Sequence, residues 1–141
     1  MSELDDNIYS EIRHLSADGD KFFDKNEFLQ ALKLYDEALK LVPLPKTEWD
    51  ASKWLYTAIG DVYFAQQEFD RSKHAFYDAL NCPHAHSNPF INLRLGQSLF
   101  ELEETAKSEE YLMRAYMLEG NKIFKGENKK YINFLKEKYD L

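Results

Sequence analysis

Residues 56–64 read Tyr56-Thr57-Ala58-Ile59-Gly60-Asp61-Val62-Tyr63-Phe64, and the same frame returns on either side. Upstream it is Leu15-Ser16-Ala17-Asp18-Gly19-Asp20-Lys21-Phe22-Phe23, and downstream Asn92-Leu93-Arg94-Leu95-Gly96-Gln97-Ser98-Leu99-Phe100. Each glycine is followed after three residues by a large apolar group (Phe22, Tyr63, Leu99) and after four by phenylalanine (Phe23, Phe64, Phe100). Nineteen residues beyond each glycine stands an alanine (Ala38, Ala79, Ala115), preceded by three by Tyr35, Phe76 or Leu112. Columns held in register over three frames, 41 and 36 residues apart, mark an internal repeat.

Outward from these frames the apolar residues keep helical spacing: Ile8, Ile12, Leu15 and Phe22, then Phe28, Leu32, Tyr35 and Leu39. No stretch alternates with the two-residue period of a half-buried strand. The spacing predicts helices over 4–24, 26–41, 47–66, 68–81, 88–101 and 104–119, and a seventh over 127–139. The third starts early because Thr47, with Asp50 three residues on, reads as a capping box after Pro45.

The columns resemble the tetratricopeptide repeat, a helix-pair unit of about 34 residues with the pattern W-x2-L-G-x2-Y…A-x3-F…P. The first unit supplies Leu15, Asp18, Gly19 and Phe22, then Ala31, Tyr35, Ala38 and Pro43. The second supplies Tyr56, Ile59, Gly60 and Tyr63, then Ser72, Phe76 and Ala79; the third Asn92, Leu95, Gly96 and Leu99, then Ser108, Leu112 and Ala115. Asp18 and Asn92 depart from the pattern where it has large apolar residues, and the third unit lacks the closing proline. The resemblance implies an all-α, right-handed helical-repeat solenoid of three helix pairs with a C-terminal capping helix. It forms one domain over 1–141, with units at about 10–43, 47–84 and 88–120 and the cap at about 127–139. The glycine marks a close helix crossing faced by Ala31, Ser72 and Ser108, and the alanines let neighbouring units stack.

Composition narrows the function. Forty-four per cent of the residues are hydrophobic and 15% aromatic, enough for a substantial core. No apolar run approaches the ~20 residues of a membrane span. The acidic N-terminus is unlike a signal peptide, and the single cysteine, Cys82, fits a reducing compartment, so the expected location is cytoplasmic. The net charge is −7, which argues against a nucleic-acid partner, because phosphate binding depends on a basic surface. Residues 121–141 alone are basic, with six lysines against three acids.

Chemistry-bearing motifs are weak. Asp18-Gly19-Asp20…Asp24-Lys25-Asn26-Glu27 fails the calcium-loop pattern, with Phe22, Phe23 and Leu29 at the third-ligand, glycine and closing-Glu positions. Cys82-Pro83-His84-Ala85-His86 crowds its donors into one turn without a second ligand pair, and His14 and His74 have no triad partner. Glu103-Glu104 and Glu109-Glu110 suit the start of a helix. No catalytic residue, metal site or cofactor site is expected, and the chain is read as a non-enzyme.

What the resemblance implies instead is a concave groove lined by the first helix of each unit. Relative to the crossing glycines, its offsets are occupied by Asp20, Asp61 and Gln97; Phe23, Phe64 and Phe100; Asp24, Ala65 and Glu101; Arg13, Trp54 and Phe90; and Ser16, Thr57 and Leu93. With Arg94, these form an expected partner surface: a continuous aromatic stripe edged by carboxylates, suited to a basic, partly apolar protein segment. Members of this family that hold heat-shock chaperone C-terminal carboxylates use Lys, Asn and Arg where this chain has Ser16, Asp20, Ala58, Phe90 and Arg94. Only Arg94 matches, so that ligand is not expected. The small acidic array is also similar to bacterial secretion chaperones and to immunity proteins that neutralise a cognate toxin.

Overall fold

The computed structural model describes residues 4–141, which include the whole of the first predicted helix. Seven α-helices follow in order: α1 (Asp6–Asp24), α2 (Phe28–Leu41), α3 (Asp50–Ala65), α4 (Phe69–Leu80), α5 (Pro89–Glu101), α6 (Thr105–Glu119) and α7 (Lys129–Lys136). Short 3-10 turns occupy Lys46–Glu48, Ala85–Ser87 and Gly120–Phe124, and no strand occurs among the described residues. Helices α1/α2, α3/α4 and α5/α6 form three pairs that stack on one another into a helical-repeat solenoid, with α7 against α6.

The crossings explain the glycines. A Cβ built on Gly19 would lie 2.6 Å from the Tyr35 ring, on Gly60 2.8 Å from the Phe76 ring, and on Gly96 2.7 Å from the Leu112 side chain. The large residue three before each alanine therefore lies over the crossing glycine of its own pair. The small residues expected there add a polar tie in two units, where Ser72 Oγ donates to the Gly60 carbonyl (3.0 Å) and Ser108 Oγ to that of Gly96 (2.7 Å). Ala31, Ala38, Ala79 and Ala115 are buried at the pair and unit contacts.

Each pair turns on a further register-locked position. Asn26, Gln67 and Glu103, seven residues after each glycine, all have φ near +60°. There the next amide folds back: Glu27 N donates to Phe22 O, Glu68 N to Tyr63 O and Glu104 N to Leu99 O, each at 2.9 Å. This closes the first helix with left-handed caps built without glycine.

Most helix ends fall within two residues of the expected ones, and α3 and α7 differ by three at one end. Helix α3 starts at Asp50 rather than at 47, and the Thr47 capping box does not form, because Lys46–Glu48 is a 3-10 turn and Trp49 is extended (φ −115°, ψ 135°). Lys46 draws this stretch toward the first unit: its Nζ donates to the carbonyls of Leu39 (2.7 Å) and Val42 (2.9 Å), capping the end of α2. Trp49 packs on the first unit's core. Helix α7 is shorter than expected, beginning after Asn128, whose side chain accepts from Lys130 N (3.0 Å). Its Tyr131 and Leu135 complete a core with Leu93, Leu112, Ala115 and Phe124, as a cap on the last unit should.

Candidate functional site

Helices α1, α3 and α5 carry the expected groove residues, and the first two units leave theirs accessible. Asp20 and Asp24 are exposed on α1. Asp20 Oδ1 accepts a hydrogen bond from the Tyr35 hydroxyl, which rises from α2. Burial raises the Tyr35 phenol pKa above its ordinary value, and the hydrogen bond to Asp20 and the charges of Asp20, Asp24 and Asp61 raise it further. The phenol thus stays a donor to that carboxylate. On α3, half-buried Trp54 meets Tyr9 of α1 edge to face, centroids 6.4 Å apart, and the Arg13 guanidinium lies 5.8 Å from the Tyr9 ring.

The three phenylalanines do not form one continuous stripe. Phe23 pairs with Phe28 (5.8 Å) and Phe64 with Phe69 (5.6 Å), each within its own unit. Phe100 instead pairs with Tyr131 (5.4 Å) and Phe134 (5.2 Å) of α7. No ring pair links one unit's phenylalanine to the next among the described residues.

The centre of the face is Arg94. Its guanidinium carbon lies 4.6 Å from the Phe64 ring centroid and 4.8 Å from that of Phe90. Its Nε donates to Asp61 Oδ1 (2.9 Å), and its Nη1 to Gln97 Oε1 (2.8 Å) and Glu127 Oε1 (2.6 Å). Gln97 Nε2 also donates to Glu127 Oε1, at 2.8 Å. Two carboxylates therefore hold one guanidinium that is only 16% exposed.

Several expected groove residues of the third unit are thereby withdrawn from the open surface. Leu93 is 1% exposed in the core beneath α7 and Gln97 is 0% exposed, while Phe100 lies under α7. Glu101 is bound by Lys130 Nζ at 2.6 and 2.9 Å. The cause is the segment around α7, whose Glu127, Lys130, Tyr131 and Phe134 meet Arg94, Glu101 and Phe100 of α5. What remains is exposed Asp20 and Asp24 with half-buried Phe23 and Trp54, bordered by Asp61, Phe64 and Phe90 around Arg94. Tyr9, Tyr35 and Glu127 also belong to the face but were not among the expected residues. Tyr9 lies ten residues before Gly19, outside the offsets used, and Glu127 has no register mark in the chain.

The wider molecule offers little chemistry. No group of three His, Cys, Asp or Glu residues that could hold a metal ion occurs among the described residues, and none of the described helices is long and apolar enough to cross a membrane. The Cys82 thiol is buried and its pKa is pushed up to about 11, chiefly by burial.

Three similar solved structures settle the architecture. The first TPR domain of Spaghetti (RPAP3), bound to the HSP90 peptide SRMEEVD, superposes with a TM-score of 0.71 at 20% identity, covering 91% of this chain and 92% of that one. The fold is that of the tetratricopeptide repeat. The C-terminal TPR-containing domain of a Plasmodium falciparum FK506-binding protein gives a TM-score of 0.75 at 17% identity, over 96% of this chain and 91% of that one. The Yersinia enterocolitica type III secretion chaperone SycD, in complex with a peptide of the translocator YopD, gives 0.70 at 17%, over 89% and 90%. No family model matches the sequence, and no curated protein is similar enough in sequence to count as a relative.

Proposed function

We propose that this TPR array is a non-enzymatic, cytoplasmic protein-interaction module that takes a basic, partly apolar segment of a protein partner on the concave face of its first two units. The observation that carries the reading is the pairing of accessible aromatic surface at Trp54 and Tyr9 with Asp20 and Asp24, neither of which forms an ion pair with a basic side chain of the described residues. Such carboxylates favour basic partners and penalise acidic ones, and aromatic anchors carry much of an interface's energy. Two structures of the same fold hold peptides, from HSP90 and from YopD, which supports a peptide-sized ligand here. A heat-shock chaperone's C-terminal carboxylate is not that ligand in this reading, since Asp20 would repel it and Arg94 is already doubly paired.

The narrower role of a chaperone for one exported protein draws support from the likeness to SycD, at the level of fold. Immunity against a cognate toxin is the alternative narrower role. The test is to isolate a cross-linked partner from the native source and then titrate it in purified form against the unsubstituted chain and the Asp20→Lys/Asp24→Lys variant at two ionic strengths. Slower, less salt-sensitive association in the folded variant supports the reading. Unchanged binding places the site elsewhere. The nature of the purified partner, an exported substrate or a toxin, separates the two narrower roles.

A further inference from the structure

Arg94 and Gln97 of α5 already hold a ligand-like group from the chain itself. Glu127 sits between Gly126, whose φ is +85°, and Asn128, which caps α7. One of its carboxylate oxygens, Oε1, accepts both from Arg94 Nη1 and from Gln97 Nε2. Gln97 is completely buried and Arg94 is clamped between the Phe64 and Phe90 rings, so both donors are held in place. Without the Glu127 side chain, Arg94 would keep its Nε bond to Asp61 and its Nη1 bond to Gln97 Oε1, while Nη1 and Gln97 Nε2 would each lose one acceptor and leave a notch where the carboxylate stood.

We propose that Glu127 is a specificity-determining residue, which fills the Arg94–Gln97 notch from within the chain and so excludes anionic segments from the groove. The proposal rests on the protein-binding reading above and explains how that face keeps its preference for basic ligands. With Glu127 and Asp61 both on Arg94, the one guanidinium embedded between the second and third units contributes no net positive field. An incoming carboxylate must displace a tethered one, whose effective concentration is on the order of millimolar or more. It must do so beside Asp61 and within reach of Asp20 and Asp24. A basic segment meets neither obstacle.

The experiment uses a defined acidic probe, the heptapeptide SRMEEVD found in one of the similar structures, carrying a fluorophore and read by anisotropy. The proteins are the full chain and its Glu127→Gln, Glu127→Ala and Glu127→Ala/Arg94→Ala variants, with circular dichroism melts to establish folding. Glutamine still fills the notch but removes the charge, whereas alanine empties it, so a gain in both marks the charge and a gain in alanine alone marks the occupancy. The expected result is at most marginal binding by the unsubstituted chain and a gain of about tenfold or more in a folded Glu127 variant. That gain should disappear when Arg94 is also replaced and weaken as salt is raised. Equal binding by the unsubstituted chain and both folded variants overturns the proposal, as does a gain that survives the loss of Arg94. This readout is separate from the basic-partner test. Failure of the Asp20→Lys/Asp24→Lys titration leaves the peptide gain standing, and failure of the peptide gain leaves the basic-partner reading standing.

Discussion

Replacing Gly60 with alanine is the smallest perturbation that tests how the helix pairs are held together. The new methyl group would lie 2.8 Å from Cε2 and 2.9 Å from Cδ2 and Cζ of Phe76. Carbon atoms rest at about 3.5 Å or more, so the ring must withdraw by roughly 0.6 Å. It has no free direction, because Phe76 is fully buried among Ala79, Leu80, Ile91, Leu95 and Leu99. Overpacking of this kind costs about 1–3 kcal/mol, and alanine recovers up to ~1 kcal/mol of helix propensity over glycine. The balance is a loss of about 1–2 kcal/mol. For a chain of this size, with unfolding entropy near 0.3 kcal/mol/K, that lowers the melting temperature by about 3–7 °C. Leucine at the same site should cost several kcal/mol. A thermal melt followed by circular dichroism reads the first number, and a double-mutant cycle with Phe76→Ala reads the coupling. In the cavity left by the ring, the alanine at 60 should become neutral or stabilising. A melting temperature that holds or rises in Gly60→Ala, or a penalty that persists without the ring, would refute the close-crossing account. Gly96→Ala should be worse than Gly60→Ala, because its methyl group also comes within 2.9 Å of the Leu112 backbone nitrogen, which no rotamer change relieves.

Removing the chain after Gly126 takes Tyr131 and Leu135 out of the third unit's core and uncovers Leu93 and Leu112, so the truncated protein should melt lower and aggregate. Leu135→Ala alone should cost about 2–5 kcal/mol in chemical denaturation. In the binding face, Phe64→Ala removes both the ring partner of Phe69 and one side of the Arg94 clamp, and should weaken a bound protein partner by ~2 kcal/mol in calorimetric titration. At alkaline pH the Tyr131 phenol, pushed up to about 12 chiefly by burial, keeps a proton that the unfolded chain loses near pH 10. Its contribution to stability is therefore complete below about pH 10 and lost as the pH rises toward 12, and Tyr131→Phe should flatten that part of a denaturant-midpoint profile. Cys82, buried and with its pKa raised to about 11, should react slowly with thiol reagents near neutral pH until the chain is unfolded.

The repeat was legible because it rests on positions where sterics admit few residue types. A glycine under Tyr35, Phe76 or Leu112 leaves no room for a side chain, and buried Ala38, Ala79 and Ala115 repeat at a fixed offset from those glycines. The left-handed turn positions were not legible, since Asn26, Gln67 and Glu103 share a conformation but no side-chain chemistry. Nor was the start of α3: the Thr47–Asp50 spacing suits a capping box, but it competes with a lysine that finds two free carbonyls at the end of the preceding helix. A local motif lost there to a contact that only the stacked units create.

The candidate face was less legible for a reason that Phe23, Phe64 and Phe100 make concrete. Five residues after each stands the first residue of the partner helix: Phe28, Phe69 and Thr105. The first two units therefore supply an aromatic neighbour for their own phenylalanine, and the ring pairs Phe23–Phe28 and Phe64–Phe69 follow. The third unit has a threonine instead, so Phe100 is left without an internal partner, and Tyr131 and Phe134 of α7 take that place. Once α7 is drawn onto Phe100, Lys130 lies within hydrogen-bonding distance of Glu101, and Glu127, at the start of the segment, reaches Arg94 and Gln97. One absent aromatic residue thus leaves Phe100 to the rings of α7, and the accessible aromatic surface lies toward Trp54 and Tyr9. Thr105→Phe tests this chain of causes. A ring at 105 should compete for Phe100 and loosen α7, raising amide exchange in residues 127–136 while leaving α1 to α4 protected. If exchange in α7 stays unchanged and the new ring is solvent-exposed, the seating of α7 depends on its own core contacts at Tyr131 and Leu135 rather than on the missing partner.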